Sequence, residues 1–363
     1  LEEIIIFKEV YILFMLDQPS SVRIGEELNQ ETLATYLNEH GIAKEISIQQ
    51  FPSGYSNLTY LIKTEEEEYI LRRPPFGANI KSAHDMEREF NVLSLLQKAG
   101  FTKVPEPILF CADESVMGAK FYLMKRVNGV ILRNRVPKGM TIDPVTFKQL
   151  SKSAIDQLVQ LHQLDIKSTG LDQLGKPEGY VQRQVEGWIK RYRNAQTDEI
   201  AGMNEAAEWM LKNVPTSAKA SFIHNDYKYD NLVLNPDNLI EIKAILDWEM
   251  ATVGDPLMDL GTTLAYWAEA NDSDALKPFN LTWMPGNMTR NEMANYYAEK
   301  SQTNIDDIVF YYVFGSFKVG VICQQIYHRY KQGHTQDPRF ASLIYVIKAC
   351  GENARRAIFN SLI

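Results

Sequence analysis

Cysteine and histidine are scarce in this chain: of 363 residues, three are cysteine and six are histidine. Cys111, Cys323 and Cys350 stand far apart without CxxC spacing, which argues against a disulfide framework or a thiolate zinc site and leads us to expect a reducing cytoplasm. Positive charge is also in short supply. Lysine and arginine number 38 against 46 acidic residues, a formal net charge of −8. A nucleic-acid binder should instead present a basic face, so no nucleic-acid partner is expected, and a cationic or neutral substrate is easier to accommodate. The opening LEEIIIFKEVYILFM is apolar, but Lys8 and Glu9 interrupt it before it reaches a membrane-spanning length, and no membrane partner is expected. Met15 is the expected natural start, with residues 1–14 an upstream extension. What remains is a globular composition, 45% hydrophobic and 23% charged, long enough for two lobes.

Periodicity divides the chain into a mixed first part and a mainly helical second part. GEELNQETLATYLNEHG sets Leu28, Leu33, Tyr36 and Leu37 on one helical face before a glycine stop. Three short β-branched or aromatic runs follow, at 46–51, 58–64 and 69–73, and read as an antiparallel meander. Glu65 to Glu68 form a solvated turn between the second and third. SAHDMEREFNVLSLLQKAG reads as one helix, and VPEPILFCADES and KFYLMKRV as two more strands. The change of character at Asn128 and Gly129 predicts a domain boundary, giving two lobes, 15–127 and 128–363. Helical spacing dominates beyond it, including all of 306–358, apart from a β-like island, FIHNDYKYDNLVLNPDNLIEIKAILDWE.

That island carries the chemistry. In HNDYKYDN, Asp226 precedes Asn231 by five residues, and two apolar strands separated by an Asn-Pro-Asp-Asn turn lead on to Asp247. A carboxylate, a carboxamide and a second carboxylate are thereby predicted at one end of a hairpin. Phosphoryl transfer needs such a set: one carboxylate to orient and deprotonate an attacking hydroxyl, and oxygen ligands to hold Mg²⁺ against the phosphates.

HNDYKYDN resembles the H-x-D-x-x-x-x-N catalytic loop of protein kinases and aminoglycoside phosphotransferases, and LDWE resembles their metal-binding segment. The resemblance implies an α+β, bilobal protein-kinase-like fold: an antiparallel β-sheet lobe with one key helix, then a larger, mainly helical lobe. It implies Asp226 as base, Asn231 and Asp247 as magnesium ligands, Lys228 near the γ-phosphate, His224 as a support of loop geometry, and Asp255 and Asp259 as structural. FPSGYSNLTYLIK resembles the phosphate-covering loop, with Gly54, Ser56 and Asn57 at its turn. Arg72 of YILRR falls where kinases carry a strand lysine, and Glu89 is its expected partner, Glu87 lying on another helical face. FYLMKRVNG resembles the hinge, which implies Met124 behind the adenine and backbone groups of Lys125 and Val127 against it.

LRRPPFG, SAHDMEREF, YVQRQVEGWIKRY, GDPLMDLGTTLAYW and QQIYHRY together resemble one branch of this family, the kinase-like domain joined in animals to acyl-CoA dehydrogenases. In that branch arginine commonly replaces the strand lysine. The expected activity is ATP- and Mg²⁺-dependent phosphorylation of an alcohol group on a small molecule, with hydroxyacyl compounds such as hydroxyacyl-CoA implied by the branch. Tyr180, Arg183, Glu249 and Arg329 are the expected acceptor residues, with Lys318, His328, Lys331 and Arg339 as further basic lining and Trp188 in helix packing. Two alternatives stay open: an aminoglycoside-modifying enzyme, and a nucleotide-binding pseudokinase, the latter motivated by Arg72 and by Asn225 standing where phosphotransferases tend to have glycine.

Overall fold

The computed structural model describes residues 18–51, 57–76, 85–137, 139–216, 219–335 and 337–363. Gly54, Ser56 and the 1–14 segment lie outside them. The chain forms two compact units: 1–131 with 233–237 and 242–249, and 132–232 with 238–241 and 250–363.

In the first unit, helix α1 (Gln30–Glu39) starts on Asn29, whose side chain accepts from the Thr32 amide, and it buries Leu33 and Leu37. Strands β1 (Ser47–Gln50), β2 (Leu58–Lys63) and β3 (Glu68–Arg73) form the expected meander. Helix α2 (Met86–Lys98) is capped by Asp85 and buries Met86, Glu89, Val92, Leu93 and Leu96 along one stripe. Strands β4 (Pro107–Cys111) and β5 (Phe121–Lys125) complete an antiparallel sheet of order β1-β2-β3-β5-β4. The core joins Leu33 and Leu37 to Tyr60, Ile62, Leu71, Phe121 and Leu123. One carboxylate sits among these apolar helix positions: Glu89, 2% exposed.

The second unit is built on helices α3 (Pro144–His162), α4 (Tyr180–Asn194) and α5 (Ala201–Lys212). Strand β6 (Ser221–Ile223) follows. The strands β7 (Leu232–Asn235) and β8 (Asn238–Ile245) pair as a hairpin whose residues 233–237 and 242–245 belong to the first unit, and β9 (Thr252–Gly254), in the second, returns antiparallel to β6. Helices α6 (Pro256–Tyr266), α7 (Arg290–Ser301), α8 (Ile308–Lys331) and α9 (Leu343–Asn360) complete the unit. The helical pattern expected over 306–358 is therefore two helices, broken where Gly333 turns at φ +76°. By length and composition α8 could cross a bilayer, but 78% of its apolar window is buried inside the protein, which makes it a core helix.

Two glycines set how closely α6 and α8 approach. A Cβ on Gly261 would collide with the Tyr311 backbone carbonyl, and one on Gly315 with the carbonyl of Gly261. The helices meet backbone to backbone there, and Lys318 lies one turn beyond that contact.

Candidate active site

In the first unit, β3 places Arg72 between Thr59 of β2 and Tyr122 of β5. Its Nη1 lies 2.9 Å from Glu89 Oε2, the expected pairing, while Glu87 is half exposed and pairs with Lys120. Tyr122 donates its hydroxyl to the same Glu89 carboxylate at 2.8 Å. The Arg72 guanidinium also reaches Asp247 Oδ1, with Nη2 at 3.3 Å, and lies 3.8 Å from Glu249 Oε2. Burial opposes the charge on Arg72, but the neighbouring Glu89, Asp247 and Glu249 outweigh it and hold its pKa well above the ordinary arginine value. Its Nε is buried without a partner among the described residues.

Asn57 donates to Glu89 Oε1 at 3.1 Å and to Glu249 Oε2 at 3.0 Å. Glu249 was expected with the acceptor residues; its carboxylate stands in this cluster around Arg72, where one guanidinium draws in two residues, Asp247 and Glu249, from far along the sequence. Met124 is buried on β5 opposite Ile70, and the Lys125 amide donates to the Glu106 carbonyl at 2.8 Å. That amide is committed, so of the Lys125 backbone groups only the carbonyl fits the expected contact with a base. Val127 is half-buried just beyond.

In the second unit, the loop between β6 and β7 holds Asp226, Lys228 and Asn231. Lys228 Nζ lies 3.1 Å from Asp226 Oδ2. Asn231 Nδ2 donates to the Asp226 carboxylate at 3.0 Å and to its backbone carbonyl at 2.8 Å. Because the NH₂ end is turned toward Asp226, the Asn231 amide oxygen is the end left to act as a ligand. Next in sequence, Asp230 is largely buried, and burial pushes its carboxyl up to about 6 despite the nearby charges of Lys228 and Arg133.

The loop is braced from beneath. Asp259 on α6 accepts from the backbone amides of His224 and Asn225, both at 2.7 Å, and lies 3.1 Å from His162 Nε2. Burial works against its ionisation, but the hydrogen bond and charge of His162, with His224, win and hold its pKa below the usual carboxylate value. The Asp226 amide donates to His224 Nδ1 at 3.2 Å, so that nitrogen is an acceptor and the ring supports the loop rather than accepting substrate protons. Asp255 caps α6 and accepts from Tyr311.

Asn225 has φ +68° and Asp247 φ +66°. Glycine occupies that region freely, and Asn and Asp are the side chains that tolerate it best. Asn225 is thus a workable occupant of a glycine-type position, and its side chain is used: Nδ2 donates to the Tyr180 hydroxyl at 3.2 Å and to the Met250 carbonyl at 3.1 Å.

The expected acceptor residues do not share one environment. Tyr180 is buried and props Asn225. Arg183 is exposed and its guanidinium bonds the backbone carbonyls of Glu178 and Lys176. Arg329 lies on the exposed side of α8, and Arg339 pairs with Asp337. Lys318, expected in a basic lining, is 2% exposed and donates to the Asn225 carbonyl at 2.7 Å. Its position three residues after Gly315 was the available signal, but the helix contact that gives the spacing meaning is not in the sequence. Tyr266 also escaped notice. Burial, then the charge of Asp226, pushes its hydroxyl well above the ordinary tyrosine value, and the Lys228 ammonium sits 4.5 Å above its ring.

Among the described residues no group of three or more His, Cys, Asp or Glu side chains could hold a metal by itself. That fits Mg²⁺, which is usually held by one or two protein carboxylates together with waters and substrate phosphates. Asn231 in the second unit and Asp247 in the first each carry an oxygen donor of the right kind.

The family model described as the phosphotransferase enzyme family matches residues 47–289, so the chain belongs to that family. Acyl-CoA dehydrogenase family member 11 of Homo sapiens is 30% identical over 349 residues, covering 93% of this chain and 44% of the relative, and the Gallus gallus protein of the same name is 33% identical over 360 residues, covering 94% and 46%. The chain therefore spans about half the length of the curated relatives it matches. A crystal structure from Ralstonia eutropha, named as a candidate aminoglycoside phosphotransferase, superimposes with a TM-score of 0.76 at 28% identity over 91% of this chain and 99% of that one. Choline kinase from Cryptosporidium parvum, at 11% identity, gives 0.64 over 92% and 97%, a likeness of fold. The fold is kinase-like, and the chemistry of the family is phosphoryl transfer to small molecules.

Proposed function

We propose that this protein transfers the γ-phosphoryl group of ATP to a hydroxyl of a small molecule, with Asp226 as the base. The observation that carries the reading is the fixed setting of Asp226: its carboxylate is held by Lys228 and Asn231, and the backbone around it by Asp259 and His224. A carboxylate so oriented can accept the proton of an attacking alcohol, while the Lys228 ammonium offsets charge on the transferring group. Asn231 and Asp247 would hold Mg²⁺, which neutralises phosphate charge when bound. Arg72, kept cationic by its carboxylates, would steady the α- and β-phosphates. Asn57, together with Gly54 and Ser56, would cover them. The Lys125 carbonyl and the Val127 amide would receive the adenine beside Met124.

The curated relatives bear acyl-CoA dehydrogenase names, which supports testing hydroxyacyl compounds, including CoA thioesters, as the first acceptors. Three free cysteines, all buried, suit the reducing cytoplasm in which we place the protein. The pseudokinase reading loses one of its motives, since the left-handed backbone at Asn225 explains a residue other than glycine without loss of the site.

The test is ATP consumption and phosphorylated product over a panel of hydroxyacyl compounds, simple alcohols and aminoglycosides, with thermal shifts recorded with and without Mg²⁺. Asp226→Ala is expected to keep the Mg²⁺-ATP shift and lose about 100- to 10,000-fold in kcat. Asp247→Ala is expected to lose the Mg²⁺-dependent part of the shift. No phosphorylated product from any acceptor, or unchanged turnover in Asp226→Ala, would sink the assignment.

A further inference from the structure

The peptide between Asn225 and Asp226 is gripped at both ends. Its amide is the Asp226 N–H, which donates to His224 Nδ1. Its carbonyl belongs to Asn225 and accepts from the Lys318 ammonium at 2.7 Å, across 93 residues of sequence. The preceding amide, that of Asn225, is fixed by Asp259. Rotation of this plane would change ψ of Asn225 and φ of Asp226 together, and so re-aim the Asp226 side chain.

Lys318 is an improbable residue for mere packing. It is 2% exposed on a core helix, and a buried ammonium is costly unless its charge is used. A neutral side chain of similar volume would fill the same space. The groups around it are Asp226 and Asp259, whose charges favour the ammonium, Lys228 and Arg191, which oppose it, and the Trp188 ring 5.7 Å from Nζ. The glycine contact between α6 and α8 brings the two braces to the loop from a shared platform, Asp259 on the amides and Lys318 on the carbonyl.

We infer that Lys318 is a positioning residue of the phosphotransfer site: its ammonium locks the Asn225–Asp226 peptide in the orientation that presents the Asp226 carboxylate to the acceptor hydroxyl. The inference rests on the proposed role of Asp226, and it predicts an effect on the chemical step rather than on nucleotide capture. No atom of Lys318 needs to touch the substrate.

The experiment compares wild type, Lys318→Met and Lys318→Arg in steady-state ATP consumption with the best acceptor from the panel, alongside the Mg²⁺-ATP thermal shift. Lys318→Met is expected to lose about 10- to 100-fold in kcat, the scale of a misplaced catalytic group, with KM for ATP and the thermal shift within about twofold of wild type. Lys318→Arg, which keeps a charged donor, is expected to recover part of kcat. A Lys318→Met kcat within twofold of wild type, or a loss matched by an equal loss of ATP affinity, would overturn the inference. Should Lys318→Met fail to fold, Lys318→Leu, which likewise removes the donor to the Asn225 carbonyl, takes its place in the same comparison. If the wild type consumes no ATP with any acceptor, that failure belongs to the functional reading. The crystal structure of the variant then decides the positional claim: the Asn225–Asp226 peptide is expected to rotate, shifting ψ of Asn225 and φ of Asp226, and an unchanged loop would refute it.

Discussion

Arg72 faces three carboxylates, of which Glu89 is bound most closely and buried most deeply, with 3% side-chain exposure. Removing the cation would strand that carboxylate. Arg72→Met is therefore expected to cost about 3–5 kcal/mol of stability, read from urea unfolding. Arg72→Lys keeps a charge but not the fork, so it is expected to recover most of the stability while weakening Mg²⁺-ATP binding in a thermal-shift titration. Equal destabilisation by both variants would mean that guanidinium geometry, and not charge, holds Glu89. The pairing itself was legible through the family resemblance of YILRR and REF, and α2 places residue 89 on its buried stripe. The attachment of Glu249 to the same guanidinium was not. It depends on a turn in which Asp247 has a left-handed backbone, and nothing in LDWE announces a positive φ at that aspartate.

At the scale of elements, helices and strands followed from periodicity and caps, and the antiparallel meander from short β-branched runs. Glycines in helices were opaque by comparison. Nothing in the sequence marks Gly261 and Gly315, yet each is a place where one backbone touches another. Gly261→Val is expected to force α6 and α8 apart and to cost at least about 1–3 kcal/mol by overpacking. It should also lower kcat more than it weakens ATP binding, because Asp259 and Lys318 reach the catalytic loop from those helices. Unfolding curves and steady-state kinetics on the same variant check both parts; a destabilised protein with wild-type kcat would separate the helix contact from the site. Lys318 was misread for a related reason. A cation in a helix normally belongs to its solvated face, and only the near-total burial of α8 reverses that presumption.

For the whole molecule, the buried lysine gives stability a distinctive dependence on pH. Unfolded, Lys318 should titrate near the ordinary lysine value of 10.5; folded, burial lowers its pKa to about 8, against the favourable charges of Asp226 and Asp259 and with Lys228 and Arg191 adding to the decrease. Between those two values the unfolded chain carries a proton that the folded chain lacks. Unfolding then takes up a proton, so this group's contribution to stability rises as pH increases from about 8 to 10.5, and at neutral pH its full penalty applies. The span corresponds to on the order of 3 kcal/mol. Urea unfolding of wild type and Lys318→Met at pH 7.5 and 10 isolates the effect from other titrating groups: wild type is expected to gain stability relative to the variant at the higher pH, and a constant difference would contradict it.

The bond from Lys318 to Asn225 also bears on how the protein comes into being. The loop that carries Asp226 is complete before the residue that holds the Asn225 carbonyl, which follows 93 positions later on a helix that must itself dock against α6. During synthesis the first unit's sheet can form from neighbouring strands, whereas the loop must wait for a distant partner, the kind of non-local closure that slows folding. Competence for chemistry should therefore appear late, after α8 is in place, and a nascent chain halted before residue 318 should carry the whole HNDYKYDN sequence without the geometry that makes it a catalyst.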